Sequence, residues 1–502
     1  MMGRKAEVQN KLFYTAVNLE RRIRKNHILR KISQHIDFDF IYQEVKAKYG
    51  NNGNVSVPPP VILKMMLLLV LYNVRSEREL IDTIPERLDW LWFLGYDLDD
   101  EIPNHSVLSK ARNRWGVEAF KTFFERIVYQ CVESGLVDGS KLFMDSSLVQ
   151  ADASNNSVVD TTKLKRYLNR SYKLLEARLE EEKKDLTCDK NTAKAGDVNK
   201  KHISTTDPDA SVVRHGHGKP KLQYQVHRGV DEKNEVITAT EVTPGQVHES
   251  HCMNSLIDQH NSTTGKKADT VVADSKYGTV NNYLSCNDRG INSHFQSLEI
   301  SSRGTGRQKG IFPKESFRYH PESDTFTCPA GNTLSVRKYY IKRNSYEYIC
   351  PKNTCQKCHL KPQCTRSKTG RTLKRNIRQE DLDIMLNQAV SKRSEKDINT
   401  RQHLMERSFA NATRYGFKRA RWRRLWRVQI QEYLTAAIQN IKILIKEKYT
   451  PRGALELKMA LKNSALTIKP DADKRLGLLN KVLLMGTQLF YTKTGPTFAD
   501  SV

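Results

Sequence analysis

The stretch KLFMDSSLVQADAS, residues 141–154, reads as a strand that should be buried, yet it carries a carboxylate near its middle. Leu142, Phe143 and Met144 are apolar, Leu148 and Val149 resume the pattern, and Asp145 stands between them followed by two serines. An ionised carboxylate in such a strand is costly unless something positive meets it. The pattern therefore implies a metal ion or a basic partner at Asp145, or else a hydrogen-bonded turn.

Further strands follow. KLQYQVHRGVD (221–231), EVITATEVT (235–243) and DTVVADSKYG (269–278) are rich in β-branched and aromatic residues and bounded by turn signals. HCMNSLIDQH (251–260) has a helical pattern, and residues 162–186 read as a charged amphipathic helix followed by a polar stretch to about 220. Strands alternating with helices predict an α/β or α+β domain of catalytic type. Asp274 closes the apolar run 270–273 much as Asp145 interrupts the first strand. Carboxylates on adjacent strands can meet at one spot although distant in sequence. Taken singly, an Asp at a strand end is more often a turn or cap residue.

Before residue 141 the pattern is helical. HILRKISQHIDFDFIYQEVKAKYG (27–50) is followed by VILKMMLLLVLY (61–72), which comes after PPP and contains Lys64. That run is too short to span a bilayer and reads as a buried helix opened by proline. SERELIDTI (76–84) has Ser76 placed as a cap with acids in the first turn. IPNHSVLSKARNRWG (102–116) predicts a short helix capped by Asn104 or Ser106 and carrying Lys110, Arg112 and Arg114. This arrangement fits a DNA-binding helix-turn-helix and equally a helical bundle with a solvated basic face.

The 502 residues carry a formal net charge of +27, an excess that implies a polyanionic partner, nucleic acid first among them. The N-terminus, MMGRKAEVQNKLFY, lacks the apolar core of a signal peptide, so a cytosolic protein with no membrane association is expected. Of nine cysteines, Cys328, Cys350, Cys355, Cys358 and Cys364 crowd one segment. Cys355 and Cys358 form a C-x-x-C, the spacing that lets two thiolates share a tetrahedral Zn²⁺. Cys364 and the distant Cys328 would complete a structural zinc site, with Cys350 a spare or a substitute for Cys328, and His359 a further possible ligand. The bland reading is a set of free thiols in a basic insertion.

In order along the chain, FMDSSLVQADAS, YQVHRGVD with TEVTPGQVHES, VVADSKYGT, and MERSFANATRYGFKRARWRR with AAIQNIKIL resemble the DDE transposases of bacterial insertion sequences. SERELIDTI and IPNHSVLSKAR resemble the helical domain that precedes the catalytic domain in one branch of that family. The resemblance covers roughly residues 25–445 and implies an α/β fold of the RNase H-like kind, a mixed sheet flanked by helices. An all-α N-terminal domain would precede it, and a cysteine-rich, zinc-binding insertion would interrupt it. The implied division is a helical DNA-binding or dimerisation domain over 1–140, the first catalytic part over 141–300, the insertion over 301–375, the final catalytic helices over 376–450, and a tail over 451–502.

Carried over by motif, the metal-binding carboxylates are Asp145, Asp274 and Glu406, with Glu432 as the competing third acid. The tyrosine, arginine and lysine that some relatives place around the last acid are missing: Asn399, Gln402 and Thr413 stand at those spacings. Three carboxylates suit Mg²⁺ or Mn²⁺, which take oxygen ligands and leave positions for phosphate. Arg419, Arg421, Arg423 and Arg424 after Glu406, and Lys276 after Asp274, are expected at DNA phosphates, with Trp422 or Trp426 stacking on bases or packing in the core. Tyr277 either approaches the phosphate or packs, and His227 and His248 are expected to be structural. The implied function is transposition: binding terminal repeats, hydrolysing DNA at the element ends and joining the 3′ ends to target DNA. A homodimer on double-stranded DNA, associated with a bacterial nucleoid, is expected. The competing expectations are a DNA-binding relative without catalysis, a metal-dependent nuclease that cuts without joining, and a zinc-dependent regulator.

Overall fold

Three prolines open the longest apolar helix, because proline's missing N–H costs nothing in a first helical turn. The computed structural model describes residues 18–50, 54–161, 199, 201–214, 218–298 and 309–448. The expected helix over 162–186, most of the 301–310 linker and the tail after 450 lie outside them. The N-terminal region is helical throughout: α1 (Leu19–Arg22), α2 (Ile28–His35), α3 (Ile41–Val45), α4 (Pro59–Leu71), α5 (Glu77–Thr83), α6 (Leu88–Leu94), α7 (Ser106–Trp115) and α8 (Glu118–Glu133). Nearly every α4 side chain is buried. Lys64 is accommodated because its ammonium donates to the Phe93 carbonyl at 3.0 Å and lies over the Phe38 and Phe93 rings. Ser76 caps α5 as expected, its hydroxyl accepting from the Glu79 N–H at 3.1 Å. Among the described residues no helix is long and apolar enough to cross a membrane.

The central sheet has six strands: β1 (Lys141–Gln150), β4 (Ser211–Val213), β5 (Lys221–Asp231), β6 (Ile237–Pro244), β7 (Thr270–Val272) and β8 (Asn292–His294). A separate small ribbon pairs β2 (Val158–Asp160) with β3 (His202–Ser204). β5 is antiparallel to β1 on one side and to β6 and β4 on the other, while β1, β7 and β8 run parallel. Helices α9 (Met253–Thr264) and α10 (Val280–Arg289) connect β6 to β7 and β7 to β8. On one side of the sheet Leu142 and Met144 pack with Met253, Leu256 and Ile257. Val149 belongs to a second cluster with Tyr224, Ala412 and Phe417. The alternation along β1 sends successive side chains to opposite faces.

Residues 309–376 form a second sheet, in the order β13 (Thr372–Asn376), β12 (Ser345–Ile349), β11 (Thr333–Tyr340), β10 (Thr325–Thr327) and β9 (Arg318–His320), around a core of Phe317, Phe326, Leu334 and Tyr348. Helices α11 (Gln379–Ala389), α12 (Lys392–Thr413) and α13 (Leu425–Lys448) follow. Residues 445–502 group apart from the rest, and of these only the end of α13 is described.

Candidate active site

Strand register brings the two aspartates together. β1 pairs with β7 as Leu142 with Val271 and Phe143 with Val272, and continuing that register two residues sets Asp145 opposite Asp274. β7 stops at Val272 and the chain turns, with Asp274 capping a 3₁₀ turn over Ser275–Tyr277 by accepting from the Lys276 N–H at 3.0 Å. Gly278 lets this turn approach the next strand's exit: a Cβ there would stand 2.1 Å from the Gln296 carbonyl oxygen.

The third acid at this place is Glu249, in the turn that follows TPGQVH at the end of β6. One oxygen from each of Asp145, Glu249 and Asp274 lies within 4.8 Å of the others, the one such carboxylate group among the described residues. Glu249 is buried; its Oε1 accepts from Gln225 Nε2 at 2.9 Å and from Lys276 Nζ at 2.6 Å. Its Oε2 and the Tyr277 hydroxyl are buried without a hydrogen-bond partner. Buried polar atoms normally have one. Three converging carboxylates plus an orphaned carboxylate oxygen fit a hard divalent cation, which takes oxygen ligands.

The electrostatics point the same way. Burial pushes the Asp145 carboxyl above the usual carboxylate range, with Arg401 opposing and the other two acids reinforcing. Asp274 is raised by burial and by Glu249 beside it. Lys276 loses some charge preference to burial, but Glu249 and the two aspartates more than restore it and hold its ammonium above the usual lysine value. The cation closest to Asp145 is Arg401 on α12, whose Nη1 lies 2.6 Å from Oδ2.

Glu406 is not part of this cluster. It is exposed on α12, five residues beyond Arg401, with its carboxylate accepting from Gln402 Nε2 at 3.2 Å. Glu432 is buried against Arg228, Nε to Oε1 at 2.7 Å and Nη2 to Oε2 at 3.0 Å, which commits it to the interior. Glu249 lay within TEVTPGQVHES, and an acid just beyond a strand ending in Pro-Gly was the available signal.

The expected basic contacts separate into two groups. Lys110 and Arg114 are exposed on α7, although Arg114 lies over the Tyr49 ring. Arg112 is buried, paired with Glu77, and stacked 4.1 Å from the Trp422 ring centroid. α7 thus turns its buried face, Leu108, Ala111, Arg112 and Trp115, into the helical core against α4. The segment 414–424 is not helical: α13 begins at Leu425, so Trp422 and Trp426 do not share a helix face. Arg421 donates to the Val74 carbonyl and to Asn73 Oδ1, and Trp422 Nε1 donates to Glu77 Oε1 at 3.1 Å. Arg419 and Arg423 both pair with Asp152, and Arg424 lies 3.8 Å from Asp209. Much of this arginine-rich run fastens the N-terminal helices and the loop after β1 to the sheet.

His227 is fully buried, bonds Thr243 Oγ1 at 2.8 Å, and is driven by burial down to about 3; His248 caps the Glu249 turn. Neither touches the acids through a hydrogen bond.

In the insertion, Cys328, Cys350, Cys355, Cys358 and Cys364 all line one cavity of about 20 Å³, room for a single ion or water. The Asn332 N–H donates to Cys328 Sγ at 3.3 Å. Gly370, at φ +109°, sits where a Cβ would stand 3.2 Å from Cys355 Sγ. Burial and the Cys355 thiol push Cys350 up to about 12.

Two family models match the chain: a transposase domain (DUF772) over residues 17–114 and a transposase DDE domain over residues 327–445. No curated protein and no solved structure is significantly similar to it. With an all-helical N-terminus, a mixed sheet and converging acids between the two matched segments, the chain belongs to the DDE transposases of insertion sequences. Its function is transposition, and DNA is the partner that this family implies.

Proposed function

We propose that the protein binds the terminal repeats of its element, hydrolyses the phosphodiester at each end and transfers the freed 3′-OH to target DNA, at the site formed by Asp145, Asp274 and Glu249. The convergence of these three carboxylates carries the reading. Two divalent ions, Mg²⁺ or Mn²⁺, would supply activation of the attacking oxygen and stabilisation of the leaving 3′-oxygen. Asp145 on β1 and Asp274 just past the end of β7 would hold them, Glu249 would close the third side, and Lys276 orients Glu249 while offering positive charge near the phosphate. Arg401 balances the aspartate charge when the site holds no cation.

The sheet order supports an RNase H-like domain: β6, β5 and β1 antiparallel in sequence, then β7 and β8 parallel beside β1. We read the chain accordingly as helical residues 1–140, catalytic segments 141–300 and 376–450 with the insertion at 301–375 between them, and a tail over 451–502. The five cysteines and their one-ion cavity support a structural Zn²⁺ in that insertion. Processing two ends requires two sites, so the working form is a dimer on DNA, in the cytoplasmic compartment that holds the bacterial nucleoid.

The test is cleavage and strand transfer on DNA carrying the ends that flank this gene, with Mg²⁺ or Mn²⁺, for the unmodified protein and for Asp145→Asn, Asp274→Asn, Glu249→Gln and Glu406→Gln. Loss of about 100-fold or more in the first three, with DNA binding retained, is expected. An equal loss in Glu406→Gln alone, with Glu249→Gln active, would move the third ligand to α12. Cutting without joining would make the protein a nuclease, and binding without cutting an inactive relative.

A further inference from the structure

Beside the acids, an open cleft of about 1100 Å³ runs over the sheet. Ser146, Ser147 and Leu148 of β1 and Gln223 and Gln225 of β5 line it. Its sides are Val213, Gly218, Lys219 and Lys221 on one hand and the Gly245–Glu249 turn on the other, and Lys276 stands where it meets the carboxylates. We propose that this cleft is the seat of a single DNA strand next to the scissile phosphate, with Lys219 and Lys221 holding its backbone. The proposal rests on the transposase reading of the neighbouring site and adds where the strand lies and which residues grip it.

Three observations support this. The first is charge: Lys219, Lys221 and Lys276 line the cleft, and Glu249, at its catalytic end, is its one acid. Lys219 and Lys221 are exposed and pair with no described carboxylate, whereas Arg419, Arg423 and Arg424 of the arginine-rich run are each met by an aspartate. Unpaired cations on a chain of net charge +27 are where a polyanion gains most from contact.

The second is chemistry. Gln223 and Gln246 offer amides, and Ser146 and Ser147 hydroxyls, groups that contact phosphate and sugar without demanding one base, while the Gln225 amide is taken up by Ser146 Oγ and Glu249 Oε1. The third is size. The cleft is open along its length, so an extended strand can lie in it with its backbone against the lysines. It is also larger than the roughly 300–1,000 Å³ typical of small-molecule pockets. The turn at one side is fixed on the sheet: Gly245 packs where a Cβ would stand 2.7 Å from the Gln223 carbonyl oxygen, and the Gln246 side chain donates to the Val212 carbonyl at 3.0 Å.

The experiment is fluorescence anisotropy of a labelled single-stranded oligonucleotide of about 12 nucleotides, within the usual range of single-strand sites. It is titrated with the full chain at several salt concentrations. Lys219→Glu/Lys221→Glu is compared with the unmodified protein, with Lys219→Arg/Lys221→Arg, and with the charge-matched control Lys46→Glu/Lys48→Glu. The expected result is an affinity about tenfold or more weaker for the Glu pair, with the slope of log affinity against log salt shallower by about 1.4, two phosphates' worth for single strands. The Arg pair should bind as the unmodified protein does, and the control should keep its slope. Binding and slope unchanged in the Glu pair, or an equal change in the control, would overturn the proposal. If Asp145→Asn still abolishes metal-dependent cleavage in that case, the transposase reading survives and only the strand's position is wrong. If the unmodified protein neither binds the strand nor cuts DNA, both readings fall.

Discussion

Arg401 Nη1 stands 2.6 Å from Asp145 Oδ2, so the helix crossing the sheet places a guanidinium where the acids converge. Three carboxylates that close repel one another, and Arg401 relieves that repulsion in the metal-free protein. Arg401→Ala should therefore destabilise the metal-free protein by about 3 kcal/mol, the scale for removing one partner of a largely buried ion pair. Saturating Mg²⁺ should restore a larger share of stability in the variant than in the unmodified protein, because ligand binding to the native state adds stability by mass action. Urea denaturation with and without Mg²⁺ reads both quantities, and an equal Mg²⁺ effect in the two proteins would contradict this role.

Glu432 is tied to Arg228, both nearly inaccessible, with Ser408 Oγ accepting from the same guanidinium at 3.1 Å. Glu432→Gln should cost about 3–5 kcal/mol by leaving a buried guanidinium uncompensated. Unlike Arg401→Ala, that loss should be insensitive to Mg²⁺. A Glu432→Gln protein of normal stability without activity would return Glu432 to the list of metal ligands.

Gly278→Ala tests the close approach that sets Asp274. The added methyl would meet the Gln296 carbonyl and the Ser297 Cα, both backbone, so the turn carrying Asp274 must shift. Overpacking of this kind costs about 1–3 kcal/mol. Cleavage should fall far more than thermal stability, and parallel assays of the two would expose a variant that merely unfolds.

His227 supplies a pH test. Its folded value, down to about 3, lies below the ordinary 6.5, because burial disfavours the imidazolium. Between those values the unfolded chain binds the proton and the folded one does not, so stability falls as pH drops below about 6.5, by about 1.4 kcal/mol per pH unit from this group. His227→Asn should remove that share of the slope. Denaturation curves at pH 7, 6 and 5 for both proteins check it, and parallel slopes would refute it.

For the insertion, purified protein should carry stoichiometric zinc, and Cys355→Ser should lose most of it, since Cys355 faces the cavity under Gly370. Elemental analysis reads this directly. Cys350→Ser and Cys328→Ser in parallel then identify the fourth thiolate, because only four of five sulfurs can bind in a tetrahedral site.

The helical N-terminus was legible because its signals are local. Proline in the first turn of α4 and Ser76 at the cap of α5 act within a few residues. The strands of Asp145 and Asp274 were legible for the same reason, each being an apolar run interrupted or closed by one acid. The sequence also showed the cysteine cluster. The sheet that carries it stayed hidden, since β9 and β10 are three residues each and take their shape from pairing.

The basic run 414–427 shows where local reading stops. Its composition suits nucleic acid, yet Arg421 ends on the carbonyl of Val74 and Trp422 lies under Arg112, partners more than three hundred residues away. Charge alone does not say whether a cation faces solvent or an acid in its own fold.

By itself, then, the sequence determined the helical start, the acid within β1 and the acid just past β7, the thiol cluster and a surplus of positive charge, because each is written in neighbouring residues. The third carboxylate, the pairing of Arg401 with Asp145, and the lysines left unpaired beside the acids were decided by tertiary structure. Those relationships depend on strand register and on helix placement across the sheet, which exist only after segments far apart in the chain have packed.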